Sequence, residues 1–169
     1  MSDIAAAKES RNPHSGLLIA VVDDDPRDLE NIVGSLASEG ICNVIALDNP
    51  GLLMRAVATS DIGLVLLDLV MPGTSGIEVL AQLRQKYPHV AVAIVSHNRD
   101  LDQAIDCMRL GASDYIVKPA DKPRLVTTVR RLMEVQELTR ESQALGKSFL
   151  ESNYHRPPAF MSIVGLDFP

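Results

Sequence analysis

Closely spaced cysteine and histidine ligands are missing from this chain. Its two cysteines, Cys42 and Cys107, lie far apart, and its four histidines, His14, His89, His97 and His155, are scattered. No spacing among them matches a zinc site. The cysteines are therefore read as reduced, small apolar residues of a cytoplasmic protein, and the histidines as exposed or loop residues. Long apolar runs are missing too. None approaches the roughly 20 residues of a membrane span. Met1–Ser15 is polar, mixed in charge and without the apolar core of a signal peptide. An excess of positive charge is also absent. The formal net charge is −6, which excludes a whole-chain basic patch and predicts no DNA contact by this stretch through phosphate neutralisation.

What is there suits one compact domain and an appendage. The chain has 169 residues, of which 46% are hydrophobic, enough to fill a sizeable core. Asn12-Pro13 and Ser15-Gly16 are breaker signals, so residues 1–16 read as a disordered leader. Leu17–Val22 is a short continuous apolar run, as expected of a strand buried on both faces. Pro26 opens a helix carrying Leu29, Ile32, Val33 and Leu36 at helical spacing, and Gly40 stops it. The alternation continues. Strands are expected at Val44–Leu47, Ile62–Leu67, Val90–Val95 and Tyr115–Val117. Helices are expected around Leu52–Val57, Ile77–Leu83 and Leu101–Leu110, with a last one beginning near Asp121–Arg124. Such alternation implies an α/β domain with a parallel sheet and right-handed crossovers. In such sheets function gathers at the carboxyl ends of the strands.

Those ends carry an unusual set of residues. Strand one runs into Asp23-Asp24-Asp25, strand three into Asp68, strand four into Ser96 and strand five into Lys118-Pro119. Several carboxylates at one rim repel each other unless a cation joins them. Lys118 and a divalent ion would resolve the crowding. Mg²⁺ favours a few carboxylates, a backbone oxygen, retained waters and phosphate oxygens. An aspartate can serve as nucleophile and form an aspartyl phosphate, and metal with lysine would balance the charge of the transferred group. The Ser96 hydroxyl is placed to donate to a phosphoryl oxygen.

The segments Val21-Val22-Asp23-Asp24-Asp25-Pro26, Leu67-Asp68-Leu69-Val70-Met71-Pro72 with Gly76, Val95-Ser96, and Gly111-Ala112-Ser113-Asp114-Tyr115-Ile116-Val117-Lys118-Pro119 resemble receiver domains of two-component response regulators. The resemblance spans about residues 17–133, in family order and spacing. It implies a doubly wound (βα)5, flavodoxin-like fold with strand order 2-1-3-4-5. It implies that Asp68 is the phosphoacceptor and that Asp23 and Asp24 hold Mg²⁺, Asp24 directly and Asp23 through water. Val70 would add its backbone carbonyl to the metal. Lys118 would pair with the phosphoryl group, Ser96 would sense it, and Tyr115 would be the aromatic switch. The partner implied is a sensor histidine kinase or a phosphotransfer protein. Ala120 departs from the bulky apolar residue usual after Lys-Pro, and Val70 and Asn98 fall where the family tunes the lifetime of the phosphoryl group.

Other motifs fail. Gly146-Lys147-Ser148 suggests a nucleotide loop, but the first glycine of that motif should stand at Glu141. Gly73-Thr74-Ser75-Gly76 has the wrong spacing for a nucleophile elbow and reads as a loop in which Ser75 caps the next helix. An aspartate-nucleophile phosphatase normally carries a second Asp two positions on, which Asp68-Leu69-Val70 lacks. A module that never takes phosphate is disfavoured by the acid pair and Lys118. The output stays open between a transcription regulator and a kinase or cyclic-dinucleotide enzyme.

Beyond the domain, Leu125, Val129, Leu132, Val135, Leu138, Leu145 and Phe149 recur at spacings of three, four and seven. They predict an extension of the last helix as a linker over 134–152 and a homodimer seam, which Thr139 and Ser142 weaken. Pro157-Pro158 is a stiff break. Phe160-Met161-Ser162-Ile163-Val164-Gly165 resembles the start of the ATPase domain of sigma-54-dependent transcription activators. Residues 153–169 are therefore expected to be a linker and the beginning of a truncated output domain.

Overall fold

The structure, a computed structural model, describes residues 16–154. The expected leader before Gly16 and the expected output-domain start beyond Tyr154 lie outside the described residues. Two compact units are present, one ending at Gln136 and the other starting at Glu137.

Elements follow in the order β1 (Leu18–Val22), α1 (Pro26–Ala37), β2 (Val44–Leu47), α2 (Pro50–Thr59), β3 (Ile62–Leu67), β4 (Val70–Met71), β5 (Thr74–Ser75), α3 (Gly76–Lys86), β6 (Ala91–Ser96), α4 (Leu101–Arg109), β7 (Asp114–Val117) and α5 (Lys122–Tyr154). The β-branched and aliphatic runs pair as a parallel sheet in the order β2-β1-β3-β6-β7. That is the expected 2-1-3-4-5 order once the small antiparallel hairpin β4–β5 is set aside. Register pairs Val22 with Leu67, Leu67 with Ile94, and Ser96 with Val117, so the carboxyl ends of four strands reach one rim.

Alternate residues of each central strand enter opposite layers. Ile19, Val21, Leu64, Leu66, Ala93 and Val95 pack with Ile32 and Leu36 of α1 and with Leu125, Val129 and Leu132 of α5. Ala20, Val22, Val65, Leu67, Val92 and Ile94 pack with Leu53 of α2, Leu80 and Leu83 of α3 and Cys107 of α4. Every residue of β3 and of β6 is buried, as the continuous apolar runs require.

Helix starts follow local chemistry. Pro26 and Pro50 occupy first-turn positions where the missing N–H is harmless. The Asp25 carboxylate accepts from the Arg27 N–H at 2.9 Å, and the Asn49 side-chain carbonyl from the Gly51 N–H at 2.7 Å. After α1 and α4 the chain turns at Gly40 (φ 79°) and Gly111 (φ 102°), in the left-handed region that only glycine enters freely. Ser75 stands at the N-cap of α3 as expected, but its hydroxyl makes no capping bond; it is held instead by pairing with Val70 across the hairpin. Asp25→Ala is expected to destabilise the first unit by about 1 kcal/mol, read as a lower denaturant midpoint at unchanged slope.

The stripe along α5 has two fates. Leu125, Val129 and Leu132 are buried in the first unit, whereas Leu138, Leu145 and Phe149 of the second unit are exposed. No helix among the described residues is long and apolar enough to cross a membrane.

Candidate functional site

Asp23, Asp68 and Lys118 each stand one position past a strand and are held there by the neighbouring strand. The Asp23 N–H donates to the Leu47 carbonyl at 3.1 Å, the Asp68 N–H to Val22 at 2.9 Å, and the Lys118 N–H to Ser96 at 2.8 Å. The sheet ladder thus continues into the site, and its side chains inherit the rigidity of β1, β3 and β7. Gly76 closes the loop after β3. Its N–H donates to the Leu69 carbonyl at 3.0 Å, and a Cβ there would lie 2.5 Å from the Asp68 carbonyl oxygen and 2.5 Å from the Leu69 Cα.

The side chains converge as their spacing predicts. Carboxylate oxygens of Asp23, Asp24 and Asp68 lie within 4.8 Å of one another. Asp23 and Asp68 are buried and Asp24 is exposed. Lys118 is 4% exposed and reaches into this group. Its ammonium makes a close charge-assisted hydrogen bond to Asp23 and a second to Asp28 at 3.0 Å. It stands 3.7 Å from Asp68 Oδ1, which is buried and has no hydrogen-bond partner among the described residues.

The electrostatics follow from this packing. Burial pushes the Asp68 carboxyl above its ordinary range; Lys118 opposes the rise, Asp23 adds to it, and the backbone N–H groups of Val70 and Leu69 oppose it. Burial alone would lower the Lys118 ammonium, but hydrogen bonds to Asp23 and Asp28 outweigh it, and the group is held above the usual lysine value. Three clustered carboxylates, one with a buried oxygen that has no donor among the described residues, match the donor chemistry of a small divalent cation.

The remaining expected residues border this rim. Ser96, the last residue of β6, is fully buried, and its Oγ accepts from the Asn98 N–H at 3.2 Å. The Tyr115 hydroxyl donates to the Asn98 carbonyl at 2.9 Å. Burial raises the Tyr115 phenol, opposed by its hydrogen bond with the Ser96 side chain. Ser96, Asn98 and Tyr115 therefore share one small network. The Val70 side chain is largely exposed.

Two participants have no motif to announce them. Asp28, in the first turn of α1, accepts from Lys118 and also meets His97 Nε2 at 3.0 Å. Burial tends to raise its carboxyl, but Lys118 and His97 together hold it below the ordinary range. A short polar residue near a helix start reads in sequence as a dipole or capping device, and nothing in the sequence connects Asp28 with Lys118, ninety positions away.

Fold and rim define a doubly wound α/β domain whose acidic strand ends form its working face. Residues 19–130 match the family described as the response regulator receiver domain. The chain belongs to that family, and is accordingly a signalling phosphoacceptor domain. It is 35% identical over 130 residues to the alginate biosynthesis transcriptional regulatory protein AlgB of Pseudomonas aeruginosa, covering 75% of this chain and 28% of that protein. It is 32% identical over 114 residues to the transcriptional regulatory protein FixJ of Azorhizobium caulinodans, covering 68% and 54%. A crystal structure of NtrX from Brucella abortus aligns with a TM-score of 0.68 at 28% identity, over 75% of this chain and 29% of that one. The chain thus spans only about a quarter to a half of the curated relatives it matches.

Proposed function

We propose that Asp68 accepts a phosphoryl group from a phosphohistidine, presented by a sensor histidine kinase or a phosphotransfer protein. The observation that carries this is the Asp68 carboxylate itself. It is buried, lacks a donor on Oδ1, and lies beside a lysine and two further carboxylates at the end of the central strand. One Asp68 oxygen attacks phosphorus in line with the breaking bond to the histidine nitrogen, which leaves with the electron pair. Lys118 offsets the charge on the phosphoryl oxygens. Asp23, Asp24, Asp68 and the Val70 carbonyl would hold Mg²⁺, which when bound neutralises charge on those same oxygens. Water attack on phosphorus later returns the free carboxylate.

Ser96 and Tyr115 carry the signal. A phosphoryl oxygen on Asp68 draws the Ser96 hydroxyl from its bond with Asn98. Tyr115, which shares Asn98 as a partner, then repacks and biases the face formed by α4, β7 and α5. Residues 17–133 act as the receiver, and 134–152 as a helical linker to an output domain starting within 153–169. The exposed Leu138, Leu145 and Phe149 support homodimer contact through the linker. Names of relatives such as AlgB and FixJ support a transcription-regulating output, acting in the cytoplasm without DNA contact by this stretch. A sigma-54-dependent ATPase is the output proposed.

Mass spectrometry tests the central step. Incubated with an acyl phosphate and Mg²⁺, the wild-type chain is expected to gain the mass of one phosphoryl group, and Asp68→Asn to gain none. Equal labelling of the two would remove Asp68 from its role.

A further inference from the structure

We propose that Asp28 is a positioning residue that draws the Lys118 ammonium away from Asp68, and that His97 sets the strength of that pull. The inference rests on the phosphoacceptor reading of Asp68. A lysine ammonium has three donors. Here the hydrogen bonds go to Asp23 and to Asp28 at 3.0 Å, while Asp68 Oδ1 stands outside hydrogen-bond reach at 3.7 Å. Among the described residues the third donor is free, but moving the ammonium closer to Asp68 from its present 3.7 Å displaces the nitrogen, so one of its two existing bonds has to lengthen. The bond to Asp28 is the one free to do so. Asp28 is more exposed than Asp23, and a cleft of about 250 Å³ opens alongside it, lined by Asp28, Asn31, Ser35, Lys118 and Ala120. The ammonium and the Asp28 carboxylate have room there to separate without repacking the core.

His97 enters through a shared atom. Asp28 Oδ2 is the oxygen bonded by both Lys118 Nζ and His97 Nε2. A carboxylate accepts and does not donate, so the imidazole N–H and the ammonium both donate to this one oxygen, and each draws on the electron density that the other bonds to. His97 therefore loosens the hold of Asp28 on Lys118. A helix-dipole role alone for Asp28, in the first turn of α1, would alter stability and leave the chemistry unchanged.

The test is the initial rate of Asp68 labelling by an acyl phosphate with Mg²⁺, followed across donor concentration for wild type, Asp28→Asn, Asp28→Ala, His97→Ala and the double variant Asp28→Asn/His97→Ala. Thermal melts confirm that each is folded. Both Asp28 variants are expected to label roughly fivefold faster at saturating donor, the scale of one partly exposed charge pair, with the half-saturating concentration unchanged. His97→Ala is expected to label about twofold slower. The double variant is expected to match Asp28→Asn, because His97 acts only through Asp28. Unchanged or slower labelling of both Asp28 variants, with wild type labelled normally, overturns the positioning role and leaves Asp68 as acceptor. A His97→Ala effect that persists in the double variant overturns the shared-acceptor argument. Absence of label in wild type itself sinks the acceptor reading and this inference with it.

Discussion

Lys118→Ala lowers the stability of the first unit by about 3–5 kcal/mol, the loss expected when one partner of a buried charge pair is removed. Without the ammonium, Asp23 and Asp68 remain buried with no other cationic partner among the described residues. Such a loss is a large part of the roughly 5–15 kcal/mol that holds an ordinary domain, so thermal melts should separate variant and wild type plainly. Added Mg²⁺ is expected to narrow the gap, because an ion on the same carboxylates takes over the lost compensation. The pH dependence has two limbs. Lys118 is held above its ordinary value, so its contribution is complete below the unfolded lysine value and disappears as pH rises through the higher folded one. Asp28 is held below its ordinary value, so its contribution is present above the unfolded carboxylate value and fades as pH falls through the lower folded one. The difference between wild type and Lys118→Ala should therefore be widest near neutrality and shrink towards both extremes. A variant that melts with wild type at neutral pH would show that the lysine does not compensate these acids.

The second large effect comes from a single added methyl group. Gly76→Ala is expected to destabilise by about 1–3 kcal/mol or more, as overpacking against fixed atoms does. The new Cβ would meet the Asp68 carbonyl oxygen and the Leu69 Cα at 2.5 Å, and the ladder bond from the Asp68 N–H to Val22 holds that backbone in place. Relief requires the start of α3 to withdraw, which moves the loop carrying Asp68. Phosphoryl labelling should fall together with stability. The same exchange at Gly34 should act in the opposite direction. That residue lies inside α1, and a methyl group added there would have nothing within 4 Å among the described residues. Replacing a helical glycine by alanine in open space stabilises by about 0.5–1 kcal/mol. Equal melting shifts of the same sign in the two variants would contradict the packing at Gly76.

Much of the sheet was legible because burial on both faces leaves apolar runs that little else explains. Ile62–Leu67 was bounded correctly, flanked by Asp61 and Asp68. The fourth long strand begins at Ala91 and extends to Ser96, one residue later at each end than expected; pairing with Val117 carries the serine into the ladder. The hairpin Val70–Met71 with Thr74–Ser75 was not foreseen, since two-residue strands have no period to detect. At the rim, the gathering of Asp23, Asp24, Asp68 and Lys118 could be read from strand ends alone. Asp28 could not. Its importance comes from Lys118, the residue after β7, reaching the first turn of α1, a tertiary relation without local sequence signal. His97 was expected as an exposed loop residue, and it is largely exposed; exposure did not reveal that its ring meets Asp28.

The acidic rim also acts as a ruler for assembly of the sheet. Strands that are apolar on both faces have no inside and outside to tell one alignment from the next, so greasy pattern alone tolerates a slip by one position. The charged ends remove that ambiguity. Sliding β3 along β1 by one step in one direction would drag Asp68 between apolar strands, where an isolated carboxylate is strongly disfavoured; the opposite step would pull apolar Leu67 to the mouth of the site. The residues placed for chemistry are thereby the marks by which neighbouring strands find their alignment, and neutralising several at once should yield misaligned sheets as well as silent ones.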